Sequence, residues 1–306
     1  MVGSNQSFAE EFLEEIPRFN DPPERVISLV PSITESMFDL GLGEHLVGIT
    51  DYCIHPHDAV ANLSRLGGTK NPSVSKIIDL QPDLVLANWE ENTRDVVEEL
   101  RQAGLVVWVS FPHSVSDSIR DLFSLAAIFK SQTARLRVQI LEHTLEWTIS
   151  ACENRPPMRY FCPIWYDRTQ SGLHWWMTFN RNTYSHDLLR IFACENAFAD
   201  RQRRYPLEAD LGIIAAKSFP QADTRYPRVG LQEILDSKIE LILLPSEPFA
   251  FEKSHVDLLS HLLSDTPAVR HGCIVPVDGT LITWHGTHLA KSMRVLPGML
   301  DSYYRS

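Results

Sequence analysis

The chain alternates short, mostly apolar runs with longer stretches in which apolar positions recur every three or four residues. Arg25 to Val30 (RVISLV), Leu46 to Thr50 (LVGIT), Asp83 to Ala87 (DLVLA) and Leu105 to Ser110 (LVVWVS) have the length and β-branched content of buried strands. Between them, Ile33 to Leu40, Val74 to Leu80 and Asn92 to Ala103 carry helical spacing, and Gly104 stops the last of these. Ser32 is expected to cap the first helix, with Glu35 three residues on. Strand and helix in alternation predict an α/β fold with a parallel sheet.

The pattern then changes. Ser116 to Asn154 contains no Gly and no Pro, and Ile119, Leu122, Phe123 and Ala126, then Leu136, Ile140, Leu141, Leu145 and Ile149, keep a helical register. Arg155-Pro156-Pro157 ends it, because proline cannot continue the ladder. Ser131 can cap a second helix, which splits the stretch into about 116–129 and 132–153, the second spanning roughly 33 Å. Such a segment is either a rigid connector or an ordinary long surface helix.

Beyond it the alternation restarts, with strands at Arg159 to Ile164, Leu241 to Leu244 and Cys273 to Val277. Helices follow at Thr183 to Phe192, Leu231 to Ser237, His255 to Leu263 and Thr287 to Tyr303. Asn71-Pro72 to Leu86 is faintly echoed by Tyr226-Pro227 to Leu243. The expected organisation is a polar tail over 1–24, an N-terminal α/β lobe over 25–115, a connecting helix over 116–155 and a C-terminal α/β lobe over 156–306. Two lobes facing each other leave a cleft, a preferred small-ligand site.

Composition narrows the class. The net charge of −11 excludes a nucleic-acid surface and attraction to an anionic membrane. No stretch reaches the length of a membrane span, so no direct membrane insertion is expected. Met1 to Glu15 holds four Glu, no Lys or Arg and no apolar run, so it does not read as a secretory signal, and Phe8, Phe12 and Ile16 suit a short acidic helix. The five scattered cysteines form no disulfide framework. These features predict a cytoplasmic protein, or a periplasmic or surface-exposed one if a leader precedes the sequence. The glycines of GLGEHLVG follow a helix and precede a strand, the wrong order for a dinucleotide site, so no nucleotide is expected.

RVISLVPSITESMFDLGLGEHLVGITDYCIHP, NPSVSKIIDLQPDLVLAN, the long helical stretch and the ending VPVDGTLITWHGTHL together resemble the vitamin B12/ferric-siderophore substrate-binding proteins of ABC importers, in particular their cobalamin-binding branch. The resemblance covers about residues 25–303. It implies two α/β lobes joined by one long helix, with a small-molecule ligand, cobalamin or a similar metal chelate, clamped between them. It implies ligand contacts at Pro31, Tyr52, Trp89, Trp176, Tyr226, Trp284 and His285. Aromatic side chains at these positions suit a flat macrocycle. It also implies a non-catalytic protein, and no hydrolase, zincin or phosphate-loop motif is present. The expected function is an intracellular binding protein for such a ligand, with an ABC importer component for cobalamin, haem or ferric siderophore and an enzyme acting on a bound corrinoid as alternatives.

Three departures qualify the resemblance. A pocket tryptophan of the B12 binders falls at Thr69, and contacts of the last loop fall at Thr280 and Trp284. The glutamates with which family members dock on the permease fall at Ser75 and Gln232, with Glu233 adjoining the second. Histidines add another possibility. Cys53-x-His55-x-His57 and His285-x-x-His288 have chelating spacing, His174 or Glu90 could complete a metal set, and His285 could serve an axial role. Glu90-Glu91 reads as a solvated helix start, and Asp167 to His174 as a mobile polar loop between aromatic patches.

Overall fold

A computed structural model of the chain describes residues 16–219 and 222–304. The acidic helix expected around Phe8 and Phe12 lies outside them. Two compact units emerge. One takes the chain through Pro112, then Ser116–Thr144 and His285–Ala290. The other takes His113–Val115, Leu145–Trp284 and the chain from Lys291 onward.

The first unit is a five-stranded sheet, order β3-β2-β1-β4-β5, from β1 (Val26–Ser28), β2 (Leu46–Ile49), β3 (Ser64–Arg65), β4 (Leu84–Asn88) and β5 (Val107–Ser110). Every pairing is parallel. All five residues of β4 are buried, as expected of a strand covered on both faces. Ile27, Leu29, Val85, Ala87, Val107 and Val109 form the core of one face, under Val96, Val97 and Leu100. Those last three come from α4 (Arg94–Gln102), which follows α1 (Pro31–Asp39), α2 (His57–Val60) and α3 (Val74–Asp79).

Two helix starts differ in kind. Thr93 caps α4, accepting from Val96 N. Ser32 does not cap α1. Pro31 occupies its first turn, Val30 is the extended residue before it, and no side chain caps it. Proline has no N–H to satisfy there and a φ already set for helix, which favours the start in the absence of a capping hydroxyl.

The helical stretch divides where Ser131 suggested. α5 (Val115–Ile128) and α6 (Gln132–Cys152) are separated by Lys130 at φ 48°, and Ser131 Oγ accepts from Ala134 N at 3.1 Å. The α5 helix and the first part of α6 belong to the first unit, which also recovers residues 285–290 from the far end of the chain. This division differs from the expected boundaries at 115 and 155. Spatial proximity groups α5 with the sheet, and sequence distance does not.

The second unit has two sheets. β6 (Met158–Phe161), β9 (Cys194–Asn196), β11 (Leu241–Pro245) and β12 (Ile274–Val277) form a parallel sheet in the order β12-β11-β6-β9. β7 (Trp165–Arg168), β8 (His174–Met177) and β10 (Arg228–Gly230) form an antiparallel one, order β10-β8-β7. This unit thus has the expected parallel sheet and adds an antiparallel one. The loop expected over Asp167 to His174 is corrected. Its ends are strand, Arg168 pairs with His174, and the turn is held by Thr169 Oγ1 accepting from Leu173 N at 3.0 Å. Aromatic pairs on either side of a polar, Gly-containing turn form the two strands of a hairpin.

The remaining helices are α7 (Tyr184–Ile191), α8 (Leu207–Asp210), α9 (Leu231–Asp236), α10 (Lys253–Leu262), α11 (Pro267–Arg270), α12 (Thr280–Thr283) and α13 (Leu289–Tyr304). The irregular chain before β10 is organised by Asp210, whose side chain has 0% exposure. Its oxygens accept from Arg228 Nε at 2.8 Å and Arg201 Nη1 at 3.0 Å. They also accept from the backbone N–H groups of Arg204 and Arg228, each at 2.9 Å.

Candidate functional site

In a parallel sheet all strands end at one edge, and ligands of open α/β folds bind there. The first unit gathers several of its candidate residues at this edge. Pro31 follows β1, Tyr52 follows β2, and Asn88 and Ser110 close β4 and β5. Pro31 is buried at the start of α1 and serves the helix more than a ligand. Tyr52 is 63% exposed, an uncommon state for so large a ring. Trp89 is half-buried, its ring centroid 5.7 Å from that of Phe111. A cavity of about 220 Å³ opens beside it, walled by Asn88, Asn92, Arg94, Val97 and Val109.

Asn88 organises this edge. Its Oδ1 accepts from Glu90 N at 2.8 Å and Glu91 N at 3.3 Å, turning the chain after β4. Its Nδ2 donates to Ser110 O at 3.1 Å and lies 3.4 Å from His285 Nε2. An asparagine closing a strand of apolar residues was the available sequence signal. Glu90 and Glu91 are accordingly residues of a turn, ahead of the helix start expected for them.

His285 is half-buried, with Nε2 also 3.5 Å from Ser32 Oγ. Desolvation pushes its pKa down to about 4, so the ring is neutral at physiological pH. Gly286 follows at φ 81°, where a Cβ would lie 2.3 Å from Ser36 Oγ, so only glycine fits. Gly286 N donates to Ser118 Oγ at 2.7 Å. Thr287 Oγ1 donates to Asp39 Oδ2 at 2.7 Å, and His288 Nδ1 lies 2.6 Å from Glu35 Oε2.

The histidine pairs do not make chelates. Cys53 is buried, with Thr34 Oγ1 and Thr50 Oγ1 each 3.1 Å from its sulfur, and desolvation raises its pKa. His55 and His57 are exposed, and His57 Nδ1 lies 3.2 Å from Asp58 Oδ1. His288 is committed to Glu35. Among the described residues no group of three His, Cys, Asp or Glu is placed to hold a metal ion. The thiol and imidazoles of the first motif diverge because Cys53 packs inward with Ile49 and Val60.

The second unit's candidates separate. Trp176 is 1% exposed and belongs to the core with Phe161 and Val229, so it offers no face to a ligand. The aromatic surface beside it belongs to other residues. The Tyr166 ring lies 5.5 Å from Trp176, 5.8 Å from His174 and 6.4 Å from Phe249. Trp165, 43% exposed, lies edge-on to Phe249 at 5.4 Å. Tyr166 Oη is 2.8 Å from His174 Nδ1 and accepts from Arg168 Nε at 3.0 Å. His174 is stacked on Trp176 at 6.0 Å, and desolvation followed by the Arg168 charge lowers its pKa. Strand alternation alone does not set this, since Trp175 and Trp176 point to opposite faces and are both buried. Phe249 was missed because it sits in an irregular loop.

Tyr226 is half-buried, with the Arg225 guanidinium 5.2 Å from its ring centroid. Trp284 is half-buried, and its Nε1 donates to Glu247 Oε1 at 2.8 Å. Thr280 is taken up by its own turn, donating to Asp278 Oδ1 at 2.7 Å. At the docking positions, Ser75 Oγ lies 3.2 Å from Ser73 Oγ, and Gln232 Nε2 donates to Asp236 Oδ1 at 2.9 Å. Glu233 is drawn aside by Arg201, whose Nε donates to it at 2.8 Å.

Comparison with known proteins bears on the family and the fold. The vitamin B12-binding protein of Vibrio cholerae serotype O1 is 26% identical over 188 residues, 60% of this chain and 64% of its own length. The chain thus matches just under two thirds of that relative. The crystal structure of a periplasmic vitamin B12-binding protein of V. cholerae superposes with a TM-score of 0.72 at 18% identity, covering 93% of this chain and 99% of the other. A periplasmic haem-binding protein in complex with two haems superposes at 0.71 and 20% identity, covering 92% and 98%. These likenesses show the fold. The family concerned is one of binding proteins, not enzymes, and is periplasmic, so the cytoplasmic and intracellular expectations are not supported. Residues 26–279 match the periplasmic binding protein family, and the chain belongs to it.

Proposed function

We propose that this protein is the solute-binding component of an ABC importer and that its solute is a planar metal chelate, cobalamin-like or haem-like. One observation carries the reading: Tyr52 stands 63% exposed at the carboxyl edge of the first unit's sheet, the edge that also bears Trp89 and His285. Burying a large ring on a flat ligand gains area at little entropic cost. The second unit offers its own aromatic surface through Trp165 and Tyr166. The names of the relatives, vitamin B12-binding and haem-binding, support the ligand class. The working place is outside the cytoplasmic membrane, as for the family.

The neutral state of His285 suits either a hydrogen bond to a ligand amide or a lone pair offered to a ligand metal. Docking on a permease proceeds without the pair of glutamates that the resemblance implied, since Ser75, Gln232 and the Arg201-bound Glu233 occupy that ground. Titration with hydroxocobalamin, and in parallel with haemin, followed by tryptophan quenching and absorbance, tests the reading. Saturable one-to-one quenching by either supports it and names the ligand. No quenching by either overturns it.

A further inference from the structure

Behind His285 lies a second feature, wholly within the first unit. A small cavity of about 10 Å³ is walled by Trp108, Ser110, Ser118, Asp121, His285 and Gly286. Asp121 stands on α5 one turn beyond Asp117 and one turn before Leu125, on the face that packs against the sheet. Its Oδ2 is sealed from solvent and has no hydrogen-bond partner. A buried carboxylate oxygen left bare is unfavourable, and native structures meet the need with a partner or with ordered water. The cavity has about the space one water needs, and its wall supplies the polar partners such a water requires.

We propose that this cavity is a single-water site in which Asp121, the bound water and the His285–Gly286 turn form one hydrogen-bonded unit, making Asp121 a positioning residue for His285. The wall is suited to it. Ser118 Oγ accepts the Gly286 N–H at 2.7 Å, which leaves its own hydrogen to donate into the cavity. Ser110 Oγ donates to Ala87 O at 3.3 Å and takes a bond from Asn88 Nδ2 at 3.2 Å, so it anchors the wall to the strand ends. His285, being neutral, carries one donor and one acceptor, with Nε2 facing Asn88 Nδ2 and Ser32 Oγ.

The charges around Asp121 leave it without a counter-ion. On its own helix, Arg120 Nη2 donates to Asp117 Oδ1 at 2.6 Å, and that arginine is 70% exposed. From α1 the cavity receives Ile33 and Ser36, while Glu35 and Asp39 are taken by His288 and Thr287. From β5 it receives Trp108 and Ser110, neither of them charged. His285 is the other titratable group on the wall. Burial pushes Asp121 up to about 7, with Arg120 opposing and Asp117 adding to the shift. The protonated acid donates into the water bridge. The carboxylate instead draws solvent toward itself, and the cover it would open is the His285–Gly286 turn.

A high-resolution crystal structure of the unliganded protein at pH 6 is expected to show one water within roughly 2.7–3.2 Å of Asp121 Oδ2. Amide exchange of Gly286, corrected for intrinsic rate, is expected to lose protection about tenfold between pH 6 and pH 8 in the wild type and not in Asp121→Asn. A dry cavity overturns the proposal, as does the same pH course in both proteins. Should Asp121→Asn fold poorly, infrared spectroscopy of the wild type decides. The protonated-carboxyl band must vanish with the same midpoint as the Gly286 protection, and a mismatch overturns the proposal. None of these readouts involves a solute, so they stand apart from the chelate titration.

Discussion

Trp284 Nε1 donates to Glu247 Oε1 at 2.8 Å, and Thr283 Oγ1 reaches the same oxygen at 3.1 Å. One carboxylate oxygen therefore fixes the indole and the helix end that carries it. Close by, Gly279 leaves room for Glu247, since a Cβ there would meet its backbone at 2.7 Å. The indole is held rigidly, which is what an anchor for a flat ligand requires. Trp284→Ala is expected to weaken binding of hydroxocobalamin or haemin by about 1–3 kcal/mol, measured by quenching or calorimetry. Unchanged affinity would remove this residue from the binding surface.

Tyr52 separates binding from folding. Its exposure means that Tyr52→Ala should alter unfolding stability by less than about 0.5 kcal/mol. The same variant should weaken chelate binding at least several-fold. A stability loss without a binding loss would make Tyr52 a structural residue instead.

Asp121 predicts a pH dependence with a definite sign. Its folded pKa, about 7, lies above the ordinary 3.8, so the folded state prefers the protonated acid. Stability should then fall as pH rises from about 4 through about 7 and level off above, by an order of ~2–4 kcal/mol for this group. Urea unfolding of wild type and Asp121→Asn at pH 5, 7 and 8.5 isolates the effect. The variant should gain relative stability as pH rises, and parallel curves would refute it.

Gly286 combines a positive φ with a close approach. Gly286→Ala should cost about 1–3 kcal/mol from the backbone conformation, with the Ser36 clash added. Beyond the stability loss, the displaced turn should shift the chemical environment of His285, visible in its imidazole resonances. Normal His285 resonances in a folded variant would contradict this.

Asp210 is the structural counterpart. Asp210→Ala leaves Arg201 and Arg228 without their shared carboxylate in a buried setting and should cost about 3–5 kcal/mol. Thermal unfolding reads it directly. A loss under about 1 kcal/mol would mean that solvent reaches these arginines once the carboxylate is gone.

The strands and the long helices were legible because their apolar periods are undiluted. β4 is five buried residues, and α5 and α6 divide at the predicted serine. The hairpin of Trp165 and Trp176 was not legible, because a polar, Gly-containing run between two aromatic pairs also describes a loop. Exposure was the harder quantity. The resemblance implied Tyr52, Trp89 and Trp284 as aromatic candidates, but it could not show that Trp175 and Trp176, adjacent on β8, are both buried. Asp121 shares a helix face with Ser118, Leu122 and Leu125, so its burial was implicit in the same periodicity that identified the helix.

The ties between α1 and residues 286–288 have a consequence for the order in which the protein is made. Glu35, Ser36 and Asp39 find their partners roughly 250 residues later in the chain. A nascent polypeptide that has reached Thr144 already holds all five strands of the first sheet, yet lacks the turn that covers α1. The first unit is therefore completed only once residues 286–288 have been synthesised. Until then Glu35 and Asp39 lack these partners and α1 lacks the turn that covers it.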